Sequence, residues 1–112
     1  MDISDWRSRI DEIDARLVAL LSERSRCVIE IGKIKRTLNL PVYDPDREKE
    51  ILAQIVAGNP GPLDGDALKR LFERILDESR RMERITSGDR GHGSAGLSAG
   101  VPQDPPIARQ EK

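Results

Sequence analysis

Arg24 and Lys35 are two cations on the apolar side of a long amphipathic segment, and together they are suited to binding an anion. One seam of this segment carries an apolar residue at every seventh position from Ile3 to Leu38, except that Arg24 stands where a leucine is expected. Lys35 follows eleven residues later, which on an α-helix is nearly the same face about 16 Å further along. A guanidinium inside a helix bundle is costly to desolvate unless an anion meets it. We therefore expect either a buried carboxylate partner or an acidic ligand at Arg24.

Polar residues interrupt the apolar faces of two later segments in the same way. Glu48 lies one helical turn before an apolar pair, with Arg47 beside it, and Ser79 and Glu83 continue an apolar line where apolar residues are due. A cavity shared by these groups would suit a small polyanion and would stabilise negative charge that develops in a reaction. The alternative at this point is a buried salt-bridge network, Arg24 with Glu48 or Glu83, that only fixes the register of the helices.

Arg7 lies on the same side of the long segment as Lys35, but it precedes Arg24 by seventeen residues. At 1.5 Å per residue this separation is roughly 25 Å, too far for both arginines to bind one small ligand within a chain. In an antiparallel pair of long helices, Arg7 of one copy would reach the Lys35 end of the other. The spacing therefore predicts a homodimer that completes a site which one chain cannot make.

Three helices, long, short and medium, are expected to position these residues, so the predicted fold is all-α. The first sustains its apolar repeat without proline and has no partner of equal length in the chain. The second begins behind an N-cap acid, Asp44, with Pro45 at its first position. The predicted helices cover about residues 5–37, residues 45–57 and, after a cap at Asp64 or Asp66, residues up to about 84.

Composition argues against several classes of function. The chain has 19 Lys and Arg against 20 Asp and Glu, so no overall field would attract nucleic acid or an acidic membrane. The only histidine, His92, is far in sequence from the only cysteine, Cys27, so we expect no metal site, no cofactor and no catalysis by histidine. Cys27 has no second cysteine in the sequence to pair with, and no charged-then-apolar segment or apolar run of about 20 residues is seen, so we expect no internal disulfide, no leader and no membrane span. We expect a cytoplasmic protein.

The C-terminal residues differ in composition from the rest. Five of the nine glycines and three of the seven prolines lie between Gly88 and Pro106. Such a stretch buries too little apolar surface to offset its ordering entropy. We therefore expect a helical domain over residues 1–87 and a disordered tail over residues 88–112.

Residues 5–85 resemble the all-helical (AroQ-class) chorismate mutases, which implies a type II chorismate mutase domain over residues 1–87. The order, spacing and residue types agree in WRSRIDEID from Trp6, LLSER from Leu20, IGKIK from Ile31, PVYDPDRE from Pro41, and the stretch from Leu71 through Ser79. The resemblance implies a three-helix protomer and an intertwined helical-bundle homodimer. Each of its two equivalent active sites would be roofed by an arginine from the partner's long helix.

The resemblance further implies the reaction, a Claisen rearrangement of chorismate to prephenate that opens the route to phenylalanine and tyrosine. Arg7 from the other chain and Arg24 would bind the two carboxylates of chorismate. Lys35 would bind a carboxylate and donate to the ether oxygen, which Glu83 would also contact. The reaction needs no proton transfer, so substrate preorganisation and electrostatic stabilisation would supply the catalysis.

Four further residues would complete the site by the same resemblance. Arg47 would support it, Asp44 and Glu48 would fix the substrate's hydroxyl and neighbouring cations, and Ser79 would assist with the ring carboxylate. A lyase acting on isochorismate or a mutase acting on 4-amino-4-deoxychorismate would use nearly the same cations, although the run from Asp44 to Glu48 favours the chorismate mutase over the lyase. A non-catalytic helical dimer or regulatory module is the alternative of a different class.

Overall fold

The computed structural model describes residues 1–88, and in this part of the chain three α-helices form and no strand does. The helices are α1 (Ile3–Leu38), α2 (Pro45–Ala57) and α3 (Gly65–Ser87). The prediction of an all-α protomer with a long, a short and a medium helix is confirmed, and only the ends of α1 and α3 extend slightly beyond the predicted bounds. Apart from Gly88, which caps α3, the predicted tail lies outside the described residues.

Acidic caps determine where each helix begins. Asp2 and Asp5 form a reciprocal capping box, in which each carboxylate accepts a hydrogen bond from the other residue's backbone N–H, at 3.0 and 2.9 Å. Asp44 accepts from the Arg47 N–H at the start of α2, and Asp64 accepts from Ala67 at the start of α3. The cap of α3 is therefore Asp64 rather than Asp66.

The protomer has a small core where α3 packs between the C-terminal half of α1 and the short α2. The hydrophobic side chains buried there are Val28 from α1, Val42 from the α1–α2 loop and Leu76 from α3. Gly32 is also buried, and a Cβ built on it would lie 2.9 Å from the Cβ of Thr86 on α3. A glycine is needed here because any side chain would push the two helices apart.

The N-terminal half of α1 extends beyond this core and keeps its apolar seam exposed. Trp6, Ile10 and Leu17 retain 56, 54 and 51% of their accessible surface. The seam is also exposed at the C-terminal end of α1, where Ile31 and Leu38 retain 44 and 60%, and α3 packs instead against the neighbouring face that holds Val28 and Gly32. None of the three described helices combines the length and hydropathy needed to span a bilayer.

Candidate active site

A cavity of about 210 Å³ lies between the three helices, next to the buried core. It is lined by seven of the eight residues predicted from the sequence to form a site. The polar and charged residues around it are Arg24, Lys35, Asp44, Arg47, Glu48, Ser79, Arg80 and Glu83. The structure therefore brings together side chains from α1, α2 and α3 that are up to 59 positions apart in the sequence.

Arg24 projects from α1 toward α3 and donates a hydrogen bond of 2.5 Å to the hydroxyl of Ser79. The Ser79 hydroxyl in turn donates to the carbonyl of Ile75, one turn earlier in α3, at 2.9 Å. Among residues 1–88, Arg24 forms no ion pair with a carboxylate, so the network of Arg24 with Glu48 or Glu83 does not form. A guanidinium has five N–H donors, and most of those of Arg24 are therefore available for an anion.

Lys35 lies further along the same face of α1 and forms two contacts. Its Nζ is 2.7 Å from Oε1 of Glu83 and 2.9 Å from the carbonyl oxygen of Val42. The side chains of Lys35 and Glu83 are only 16 and 13% exposed, so water screens this pair less than a surface pair. An ammonium has three donors, and the third is available for a ligand.

Glu48 is held by Arg80, a residue that the sequence analysis did not select. One guanidinium nitrogen of Arg80 lies 2.6 Å from both carboxylate oxygens of Glu48, and the other nitrogen contacts Asp77. The guanidinium carbon also lies 5.6 Å from the centre of the Tyr43 ring, within cation–π range. The sequence did contain a signal for Arg80, because it lies one helical turn after the buried Leu76 and continues that face of α3.

The hydrogen bond with Glu48 raises the pKa of Arg80, and the charges of Glu48 and Asp77 act in the same direction against the lowering effect of burial. Arginine is already protonated throughout the range in which proteins are assayed. Arg80 is therefore a permanent cation beside the Glu48 carboxylate.

Asp44 and Arg47 occupy the exposed edge of the cavity. The Asp44 carboxylate caps α2, and Arg47 pairs with Glu50 along the same helix at 2.6 Å. Arg47 is more than half exposed, so its pair with Glu50 contributes only tenths of a kcal/mol and is easily exchanged for a ligand.

The charges around the cavity favour an anion. Four cationic and three anionic side chains line it, a net charge of +1. Within residues 1–88 no group of three or more histidine, cysteine or acidic side chains is arranged to hold a metal ion. Positioning a ligand and stabilising negative charge are the chemistry that these residues offer.

Arg7 is the one predicted site residue that does not line the cavity of its own chain. It lies on the exposed N-terminal half of the continuous helix α1, about 25 Å from Arg24 at 1.5 Å per residue.

The family model for chorismate mutase type II matches residues 6–84, which include all of α2 and most of α1 and α3. The chain belongs to the chorismate mutase type II family. Among curated proteins, the chain is similar to the bifunctional chorismate mutase/prephenate dehydratase of Stutzerimonas stutzeri, with 38% identity over 84 residues. That match covers 70% of the present chain and 23% of the relative, so the chain spans about a quarter of the length of the curated relatives.

Solved structures of chorismate mutases match over most of their length. The form II structure from Thermus thermophilus has a TM-score of 0.72 and 41% identity, covering 73% of this chain and 93% of that one. The chorismate mutase from Helicobacter pylori, solved in complex with prephenate, has a TM-score of 0.70 and 28% identity, covering 78 and 94%.

Proposed function

We propose that this chain catalyses the rearrangement of chorismate to prephenate. The observation that carries the proposal is the placement of Arg24 and Lys35 in one cavity with donors that are not used up by carboxylates. Chorismate is a dicarboxylate, and negative charge develops on the oxygen of its breaking C–O bond. Cations are therefore needed at the carboxylates and at this oxygen. Membership of the chorismate mutase type II family supports the same reaction.

Each of the two cations is assigned a role in that reaction. Arg24 binds one carboxylate, with Ser79 holding the guanidinium in place, and Lys35 binds a carboxylate and donates to the ether oxygen. These contacts hold the enolpyruvyl arm over the ring, which lowers the entropy that the reaction must lose at its transition state. They also become stronger as charge develops on the oxygen, so they favour the transition state over the substrate.

Glu83 is assigned to the ether oxygen as well, beside its contact with Lys35. A carboxylate can only accept hydrogen bonds, whereas a glutamine amide also donates. Replacing Glu83 with glutamine therefore tests the proposed contact.

Asp44, Arg47 and Glu48 are proposed to complete the site. Arg47 exchanges its exposed pair with Glu50 for the substrate, Glu48 accepts a hydrogen bond from the ring hydroxyl, and Asp44 orients neighbouring cations.

The working unit is proposed to be an intertwined homodimer with Arg7 contributed by the second protomer. The exposed apolar seam of α1 supports this arrangement, because Trp6, Ile10 and Leu17 bury no more than half of their surface in the protomer. Arg7 lies beside that seam, so covering the seam with a second copy brings a second arginine to a dicarboxylate. The cytoplasmic location stays a prediction.

The decisive experiment follows the loss of chorismate spectroscopically with purified protein, with isochorismate and 4-amino-4-deoxychorismate measured in parallel. We expect chorismate to be converted to prephenate faster than either analogue is consumed. Consumption of isochorismate with release of pyruvate would show the lyase instead. No turnover of any of the three, with no protection of the fold by chorismate, would show the non-catalytic helical module.

A further inference from the structure

Arg80 has more side-chain partners than the other cations at the cavity, and these partners indicate a specific role. Its guanidinium contacts both oxygens of Glu48, contacts Asp77 on its own helix and stacks over Tyr43 from the α1–α2 loop. Side chains from α2, α3 and the preceding loop thus fix one arginine, which is 23% exposed, and through it one carboxylate, which is 21% exposed. The planar guanidinium is well suited to fixing a carboxylate in this way.

Glu48 is unusual in a cavity that binds a dianion, because a free carboxylate there would repel the ligand. Dianionic chorismate has a single hydrogen-bond donor, its ring hydroxyl, so a carboxylate in the cavity can only accept from that group. A carboxylate has about four lone-pair positions, and Arg80 takes two of them. Glu48 therefore keeps its capacity to accept a hydrogen bond while Arg80 neutralises its charge.

We propose that Arg80 is a positioning and specificity-determining residue, which neutralises and orients Glu48 so that the site takes a substrate with a hydroxyl in preference to one with an ammonium group. An ammonium gains most from a full negative charge beside it, whereas a neutral hydroxyl needs only a well-placed acceptor. The guanidinium also repels a second cation. The inference rests on the proposed function, since it concerns which ring substituent the mutase accepts.

The test compares kcat/KM for chorismate and for 4-amino-4-deoxychorismate in wild type and Arg80→Met. Wild type should prefer chorismate. Arg80→Met should lose about tenfold or more in kcat/KM for chorismate, chiefly through a higher KM, because Glu48 becomes an uncompensated charge facing a dianion. The ratio of the two kcat/KM values should move toward the amino substrate by about tenfold.

Three further variants separate this role from a structural one. Arg81→Met is the matched control, since Arg81 is 58% exposed and, within residues 1–88, pairs only with Glu78 on its own helix. For this variant, kcat/KM for both substrates should stay within about twofold of wild type. Arg80→Lys keeps the charge, so it should restore the preference for chorismate even if the rate falls. In a Glu48→Gln background, Arg80→Met should no longer move the ratio, because no carboxylate remains to be neutralised.

Circular dichroism and size-exclusion chromatography establish which variants fold, and Arg80→Gln replaces Arg80→Met if the latter does not. The role of Arg80 is overturned if folded Arg80→Met has the same ratio of the two kcat/KM values as wild type. It is also overturned if Arg80→Met still changes this ratio with Gln at position 48, or if wild type prefers the amino substrate. If wild type converts chorismate and the ratio does not move, only this inference fails. If wild type converts neither substrate, the proposed function fails first.

Discussion

The ammonium of Lys35 lies 2.7 Å from the carboxylate of Glu83, and this ion pair joins α1 to α3 at the cavity. Both side chains are largely buried, and the Val42 carbonyl fixes the ammonium from a second direction. The cation proposed to act on the ether oxygen is therefore held in place before a substrate arrives. Part of its charge is offset by the Glu83 carboxylate, so this carboxylate weakens the attraction of the site for an anion.

Glu83→Gln should raise kcat/KM for chorismate several-fold. A glutamine amide has N–H donors for the ether oxygen and carries no charge, so it also leaves the full charge of Lys35 to the dianionic substrate. The measurement is kcat/KM for both proteins, with Glu78→Gln, at a half-exposed position outside the cavity, as the control. A value for Glu83→Gln at or below that of wild type would mean that Glu83 acts through its ion pair with Lys35 and not at the ether oxygen.

Arg24→Leu should preserve the bundle and abolish the reaction. Leucine restores the apolar repeat of α1, and Ser79 keeps its hydrogen bond to Ile75 when the guanidinium is removed. We expect thermal stability equal to or above wild type and a loss of about 100-fold or more in kcat/KM, because the substrate loses the carboxylate contact that orients it for the reaction. Chorismate turnover, thermal unfolding and size-exclusion chromatography measure these effects.

Arg26→Leu is the matched control for Arg24→Leu, because Arg26 is exposed on the same helix and lies outside the cavity. It should keep its activity. Unfolding of Arg24→Leu would mean instead that the arginine holds the helices together.

Gly32→Ala should destabilise the protomer and misplace the catalytic groups. The added Cβ would lie 2.9 Å from Cβ of Thr86 and 3.1 Å from its Cγ2, so α3 must shift away from α1. Such overpacking costs about 1–3 kcal/mol, and it acts one turn from the Lys35–Glu83 pair. The midpoint temperature of thermal unfolding and kcat should therefore both fall.

Gly65→Ala is the control for this crowding, since its nearest neighbour, a methyl group of Val56, would be at an ordinary 3.5 Å. Alanine also favours the helix over glycine by up to about 1 kcal/mol, so this variant should be as stable as wild type or more stable. Equal behaviour of the two alanine variants would contradict the close approach of α1 and α3.

The apolar period of the sequence predicted the helices and most of the cavity because both depend on which residues share a helical face. Arg24, Lys35, Ser79 and Glu83 interrupt apolar lines, and the three helices bring all four to one place. The sequence did not predict which of these side chains contact each other. That Lys35 meets Glu83 while Arg24 meets a hydroxyl depends on how far α3 slides along α1, which the sequence pattern of either helix leaves open.

Arg80 was missed for a related reason. The sequence places it beside Ser79 in a run of charged residues, Arg80, Arg81 and later Arg84, that is typical of a solvated helix face. The spacing from Leu76 favours Arg80 over Arg81, but the packing of α2 against α3 is what brings Arg80 to Glu48 and leaves Arg81 exposed.

Mixing two inactive variants should restore activity if Arg7 acts across the dimer. Arg7→Ala and Lys35→Ala should each be nearly inactive as homodimers. In a mixed dimer, one site combines the intact Lys35 of the first chain with the intact Arg7 of the second, while the other site lacks both. Random reassociation makes half of the dimers mixed, so the mixture should recover about a quarter of the wild-type activity.

The control mixes Arg24→Leu with Lys35→Ala, because both of these residues line the cavity of the same protomer. Each site of that mixed dimer lacks one of the two cations, so no activity should return. Refolding the variants together from denaturant and measuring chorismate turnover tests both mixtures. If Arg7 served its own chain, the site with Ala at position 7 and the site with Ala at position 35 would both stay defective, and the first mixture would be as inactive as the control. Recovery in the first mixture alone therefore requires that a second protomer supplies Arg7 to the cavity that holds Arg24 and Lys35.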